Sequence, residues 1–386
     1  MLASNYPTIS TRAALRPTAV EIDLKAISNN FKAIQTHVGN QLVMPILKAN
    51  AYGHGLVRVG KHVQEIGAQM IGVAFLEEGI LLREAGITTP ILVLGGILGS
   101  QVPLFLEHDL TLTASSIVKL EQVEEAAKAA GKKAKVHLKI DTGMERIGVH
   151  YYSAEEFLDA SMNSKNVQIE GIFSHFANSD SADLTSAKLQ IERFQEVTHF
   201  YEKRSVPMPL RHMANSGAIL QLPDSHLDIV RPGIILYGVY PSQSVEKSID
   251  LQPALSWKSK IVYFKVVKPN HPVSYGSTWQ SDVNTRVVTV PVGYGDGYFR
   301  SMSGNAHVLI NEVEYPIIGT ITMDQVMVNI GQDSAFNGDE VVLIGESGTK
   351  RLSVEDLAAW AGTIPYEILT NINTRVPRLY KQDKSP

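Results

Sequence analysis

Cysteine is absent from the 386 residues. That removes a disulfide scaffold, a thiolate metal site and a cysteine nucleophile together. No apolar stretch approaches the roughly 20 residues needed to span a bilayer. No Gly-rich dinucleotide fingerprint opens the chain. Net charge is only -4, so no general affinity for nucleic acid or anionic membrane is expected. The N-terminus, "MLASNYPTISTRAALRP", lacks the apolar segment of a secretory signal, and the cytoplasm is the expected compartment. Fixed-period repeats and low-complexity tracts are missing too. The twelve histidines are scattered without metal-ligand spacing, so no metal is expected. What is present is the composition of a soluble globular protein, long enough for two domains.

From about residue 42 to 240, short β-rich runs alternate with longer amphipathic helical stretches. The strand candidates are "LVMPILKA" (42–49), "MIGVAF" (70–75), "PILVLGG" (90–96), "LTLTAS" (110–115), "KVHLKID" (135–141), "IEGIFSH" (169–175), "LRHMAN" (210–215) and "HLDIVRPG" (226–233). Between them lie patterns such as "SIVKLEQVEEAAKAAG" (116–131), which stops on Gly131 as a helix should. Alternation of this kind implies βαβ units, and eight of them fit a (β/α)8 TIM-type barrel better than an open sheet. After about residue 247 the period becomes two, as in "WKSKIVYFKVV" (257–267) and "DQVMVNIG" (324–331), and long helices vanish. The expected class is therefore α/β, with a barrel domain over 1–247 and a mostly β domain over 248–386.

Barrel chemistry sits at the C-terminal ends of the strands. Lys48 ends the first apolar run, and lysine is rarely buried unless it is paired or used. "DTGMERIG" (141–148), with Arg146, follows the fifth strand; His175 ends the sixth. "ANSG" (214–217) and "RPGI" (231–234) follow the seventh and eighth, where barrels commonly hold phosphate. Ser216, Gly217, Gly233 and Ile234 offer a hydroxyl and exposed N–H groups that suit a phosphate dianion. Ordinary turn and cap residues would give the same spacing. A lysine facing such a pocket fits a Schiff base to a carbonyl substrate or to pyridoxal phosphate (PLP).

At this point the motifs resemble a known family. "KANAYGHG" (48–55), "DTGMERIG" (141–148), "SHFANSD" (174–180), "ANSG" (214–217), "RPGIILYG" (231–238), "VSYGSTW" (273–279), "PVGYGDGY" (291–298), "GTITMDQVMV" (319–328) and "YEILTNINTRVPR" (366–378) together resemble alanine racemase, in that family's order. The resemblance implies a PLP-dependent homodimer that interconverts L- and D-alanine for peptidoglycan. Lys48 would carry PLP and serve as one base; Tyr275 would be the other, on the opposite face. Tyr52, Ser216, Gly233, Ile234 and Tyr366 would hold the phosphate. Arg231 would face the pyridine nitrogen, with His175 bonded behind it. Arg146 and the N–H of Met323 would bind the substrate carboxylate, with Asp324 beside it. Tyr294 would line the entrance. In the family, Tyr275, Met323 and Asp324 come from the partner subunit, so the two copies would share active sites. Lys139, expected to point into the barrel, matches a lysine that is carbamylated in some members.

Two positions depart from the family pattern. Glu145 stands where Gly is usual, which puts the local turn geometry in question, and Thr322 stands where Cys or Ser is common. "GYGDGY" contains a loose GxG but lacks a following helix, which argues against a nucleotide site. Two alternatives stand beside the alanine reading: a racemase for serine, lysine or a broader range, and a non-catalytic PLP-binding protein.

Overall fold

The computed structural model describes residues 15–381, so most of the N-terminal stretch read for a leader, residues 1–14, lies outside the described residues. The chain forms two compact units.

The first unit, Ile27–Gln252, is a barrel. Eight parallel strands make its wall: Leu42–Val43, Ile71–Val73, Ile91–Val93, Leu112–Ala114, Ala134–Asp141, Val167–Phe173, Leu210–His212 and Ile229–Val230; a further short strand, Val149–His150, pairs parallel with Ala134–Asp141. Parallel ladders join the second to the third and run from the fourth through the seventh. Single parallel bridges, Ile46 with Gly72 and Leu92 with Thr111, supply two further joins. Asp228 N–H donates to Arg211 O at 3.1 Å, and the eighth strand closes on the first with Ile229 opposite Leu42. The ladders are shorter than the apolar runs. In the first run the cause is Pro45, which has no N–H to give and leaves Leu42–Val43 separated from the bridge at Ile46.

Outer helices follow the expected spacing. Ile117–Ala129 buries Leu120, Val123 and Ala127 on one face. Ser116 caps it by accepting from Lys119 N–H at 3.1 Å, and Gly131 ends it at φ +64°. Each fully buried leucine or valine of this kind contributes about 1.5–3 kcal/mol relative to exposure.

The second unit takes residues 15–26 together with 253–381. Its sheet runs in the order Tyr263–Val267, Thr285–Val290, Val326–Gly331, Val313–Ile318, His307–Ile310, Glu340–Ser347, Leu255–Lys260, Ala19–Asp23 and Arg378–Lys381, with Lys350–Leu352 paired to Glu340–Ser347. Ala19–Asp23 pairs antiparallel with Leu255–Lys260 and parallel with Arg378–Lys381. An N-terminal strand thus sits within the C-terminal β unit, which a division at 247/248 does not anticipate. Local periodicity reports a strand but not its partner. The C-terminal stretch is more ordered than a tail: Pro365 starts a helix, Pro365–Asn371, at the position where proline fits best. Ser353 and Asp356 form the expected capping box, with Ser353 N–H on Asp356 Oδ2 at 2.7 Å and Asp356 N–H on Ser353 Oγ at 3.1 Å.

Candidate active site

The mouth of the barrel begins with the lysine. Met44, Ile46 and Leu47 are buried, and the chain then breaks outward at Lys48. Ala49, Asn50, Ala51 and Tyr52 all lie in the left-handed region, at φ 53°, 56°, 53° and 51°. Each such non-glycine residue costs roughly 1–2 kcal/mol, so something must hold the turn. Glu78 does much of this. Its carboxylate accepts from Ala49 N–H at 2.7 Å, from Ala74 N–H at 2.8 Å and from Phe75 N–H at 3.2 Å. Asn50 Oδ1 takes Leu56 N–H at 2.8 Å. Beneath the turn, His54 stacks on Tyr237 with centroids 4.4 Å apart, and Tyr237 donates its hydroxyl to Ile46 O at 2.9 Å. His54 is thus a buried prop.

Lys48 reaches solvent at the rim, yet its crowded surroundings lower its pKa through desolvation first and the Arg146 charge second. Glu78 opposes this and Arg231 adds to it. A larger fraction of neutral amine is therefore present near pH 7 than in free lysine.

Arg231 is buried at the end of the eighth strand. It donates to Ser174 O at 2.9 Å and Met213 O at 2.8 Å. It also donates to His212 Nδ1 at 2.9 Å and His175 Nδ1 at 3.2 Å. The expected His175 contact is present, but the shorter bond goes to His212. Because guanidinium only donates, His212 must carry its proton on Nε2 and pass it toward His137 Nδ1, 2.8 Å away. Burial, then Arg231, holds all three imidazoles neutral, with His137 pushed down to about 3. Gly171 makes room for this chain, since a Cβ there would collide with His137 Nδ1. Phe173 stacks on His212 at 4.6 Å and lies under Lys139 Nζ at 4.4 Å.

Lys139 is buried, and burial followed by the Arg231 charge drives its pKa well below the ordinary lysine value; Asp141 pulls the other way and Arg146 adds to the lowering. Asp141 instead organises the next loop. It accepts from Gly143 N–H at 2.8 Å, Met144 N–H at 2.9 Å and Arg146 N–H at 3.2 Å. Burial raises its pKa, but these donors outweigh that and hold it low. Arg146 rises from this loop to the exposed rim. Glu145 adopts φ 54° and brings its carboxylate to His150 Nε2 at 2.9 Å. The turn made for glycine is kept at a strain cost of about 1 kcal/mol.

The last two strands present the anion cradle. Ser216 is buried and its Oγ accepts Gly233 N–H at 2.9 Å. A Cβ on Gly233 would lie 2.5 Å from Tyr52 Oη and 3.5 Å from Ser216 Oγ, so the missing side chain leaves both hydroxyls room to converge. Burial raises the Tyr52 pKa and keeps that hydroxyl a donor. Asn215 Oδ1 fixes the turn by accepting Ala218 N–H at 3.1 Å and Ser179 Oγ at 2.6 Å. Ile234, next to Gly233, is fully buried. Hydroxyls and N–H groups close by suit a phosphate, and a desolvated lysine with an arginine donor suits the rest of PLP. The residues present fit the group.

The remaining predicted residues lie in the second unit. Tyr275 stands exposed on a tight turn in which Ser274 has φ 68°. Thr320 Oγ1 donates to Tyr275 O at 2.8 Å, and Ser274 Oγ donates to Thr320 O at 2.6 Å. Tyr275, Ser274, Thr322 and Gln325 line one cavity of about 980 Å³. Thr322 closes its own turn, its Oγ1 donating to Gln325 O at 2.8 Å, which any small hydroxyl could do. Met323, Asp324 and Tyr294 adjoin one another: Tyr294 N–H donates to Thr322 O at 3.0 Å. Tyr366 lies half-buried in the helix Pro365–Asn371.

Sequence reasoning missed Glu78, His137, His212 and Tyr237. His137 shares strand parity with Lys139, a signal that was available. Glu78 follows no recognisable N-cap residue, and nothing in its neighbourhood marks it.

The barrel and its mouth place the chain in the class of PLP-binding barrel enzymes. Residues 22–241 match the alanine racemase N-terminal domain, and residues 254–380 match the alanine racemase C-terminal domain. "Alanine racemase 2" of Caldanaerobacter subterraneus subsp. tengcongensis is 44% identical, covering 95% of each chain. The alanine racemase of Halothermothrix orenii is 42% identical, over 95% of this chain and 97% of that one. Among solved structures, alanine racemase from Streptomyces coelicolor A3(2) superposes with a TM-score of 0.92 at 36% identity, over 97% of this chain and all of that one (100%). The chain belongs to the alanine racemase family, whose members are PLP-dependent isomerases.

Proposed function

We propose that this protein interconverts L- and D-alanine, with Lys48 and Tyr275 handling the α-proton on opposite faces of the substrate. The observation that carries this reading is the cluster at the barrel mouth. There, Lys48 is electrostatically coupled to Arg146 and Arg231, on a barrel that matches this family across its length. When bound, PLP supplies the electron sink that makes the α-proton acidic. The depressed pKa lets the Lys48 amine accept a proton near neutral pH.

Tyr52, Ser216, Gly233, Ile234 and Tyr366 are proposed to hold the phosphate. Arg231 is proposed for the ring nitrogen. A fixed cation there offers a hydrogen bond but no acceptor for a ring proton, which moderates the sink and limits side reactions. Arg146 and Met323 N–H would take the substrate carboxylate beside Asp324, and Tyr294 would line the way in. Carbamylation of Lys139 would exchange a disfavoured buried amine for an anion among cations, which its surroundings support.

The proposed assembly is a homodimer in which a second copy supplies Tyr275, Met323 and Asp324. Tyr263, Phe264 and Val266 expose apolar area on an edge strand, which supports a covered face there. The barrel would hold the cofactor, and the β domain would supply the phenol and the dimer contacts. Among the described residues no helix is long and apolar enough to cross a membrane. The proposed setting is the cytoplasm, with D-alanine going to peptidoglycan.

The test is incubation of the PLP-loaded protein with L-alanine in deuterated water, followed by chiral separation. D-alanine and α-deuterium should both appear. A protein that yields neither is a carrier, and the proposal fails. A panel with serine and lysine measures breadth.

A further inference from the structure

Apart from Tyr294, two stretches of the β unit are left without a role by the chemistry above: "GYGDGY" (293–298) and the arginine of "NTR" (373–375). The structure joins them on the turn that carries Met323. Tyr294 N–H donates to Thr322 O at 3.0 Å and Gly295 N–H to Met323 O at 2.9 Å. A Cβ on Gly293 would collide with Thr322 O, and one on Gly295 would lie 3.0 Å from Met323 O. The glycines therefore serve close backbone approach and not a nucleotide.

Behind this contact lies Asp296, whose carboxylate is fully buried. It accepts Arg16 Nη1 at 2.6 Å, Arg16 Nη2 at 2.5 Å, Gly293 N–H at 3.0 Å and Arg375 Nε at 2.6 Å. The other end of the Arg375 fork reaches the turn itself: Nη2 donates to Asp324 Oδ1 at 2.8 Å and to Met323 O at 3.3 Å. An exposed pair such as Arg375 with Asp324 would hold little alone. Here the guanidinium is already fixed by a buried anion, so reaching Asp324 costs little further side-chain entropy.

We infer that Arg375, anchored on Asp296, is a positioning residue that fixes the Thr322–Gln325 turn so that Met323 N–H is presented to the substrate carboxylate. This rests on the reading of Met323 given above. The turn's carbonyls are drawn inward, onto Tyr294 N–H, Gly295 N–H and Arg375, while Met323 N–H donates to no group among the described residues. A donor serves a carboxylate only if it already points at it; a loose turn must be ordered at each binding event, which weakens affinity. Lysine could not replace this arginine, because one ammonium cannot span two acceptors placed as a fork.

The test uses Arg375→Lys and Asp324→Asn in the full-length, PLP-loaded protein. Both should raise KM for L- and D-alanine by a common factor of about tenfold, the loss of one charge-assisted hydrogen bond, with kcat changed less than about threefold. The cofactor absorbance should be unchanged, and hydrogen exchange should quicken in the 320–326 peptide alone. If Arg375→Lys does not fold, Asp324→Asn decides, since it removes only the solvent-facing end. Native-like KM and exchange in Asp324→Asn, or a fall in kcat at constant KM, overturns the inference. Failure of the unsubstituted protein to racemise alanine would instead remove the reading beneath it.

Discussion

At Gly233 one methyl group is enough to fill the anion cradle. An added Cβ would sit 2.5 Å from the Tyr52 hydroxyl, and the flanking Tyr52 and Ser216 are both buried. Gly233→Ala should weaken PLP binding at least about tenfold, a loss worth about one good hydrogen bond, while leaving the fold intact. Titration of the apo protein with PLP, read by absorbance, checks this; unchanged affinity would mean that the phosphate goes elsewhere. The three neutral histidines carry a pH signature. Their folded pKa values lie below the ordinary 6.5, so below that pH the unfolded chain binds more protons than the folded one. Stability is complete above about 6.5 and declines as pH falls, by up to about 4 kcal/mol per pH unit for three imidazoles. His137→Gln should flatten that decline by about a third, measured as urea midpoints at pH 7 and pH 5.5. An identical slope would contradict a neutral His137 in the folded protein. Lys48 and Arg231 were legible in the sequence because each ends an apolar run. His212 and Glu78 were not, because their partners lie on other strands and only the fold brings them together.

The left-handed turn Ala49–Tyr52 is the element on which the lysine's aim depends. Three of its four residues, Ala49, Ala51 and Tyr52, have no intrinsic taste for positive φ, so sequence pattern could not reveal it. Only the flanking Gly53 and Gly55 hinted at unusual backbone. Ala49→Gly should relieve strain and stabilise the protein by about 1 kcal/mol, offset in part by the freer unfolded chain. The same freedom should loosen Lys48 and lower kcat severalfold. Thermal unfolding alongside racemisation tests both halves: a lower Tm would show that the turn is not strained. The barrel strands, by contrast, were plain from their alternation. Their ends were misjudged where proline or a single bridge interrupts the ladder, as at Pro45.

For the whole molecule, the two-part plan was readable from the change of period near residue 247, but the crossing of the N-terminal strand was not. Ala19–Asp23 supplies the centre of a three-stranded join between Leu255–Lys260 and Arg378–Lys381. A fragment beginning at Pro253 therefore lacks a strand with ladders on both sides. It should fail to fold alone, and adding a peptide covering residues 15–26 should restore β signal in far-UV circular dichroism. A fragment folded without the peptide would contradict the division of units. The account as a whole turns on the ε-nitrogen of Lys48. Reduction of the PLP-loaded protein with borohydride, followed by peptide mass spectrometry, should place a pyridoxyl group on Lys48 and on no other lysine. An unmodified Lys48 peptide, or an adduct on Lys139 in its place, would contradict it.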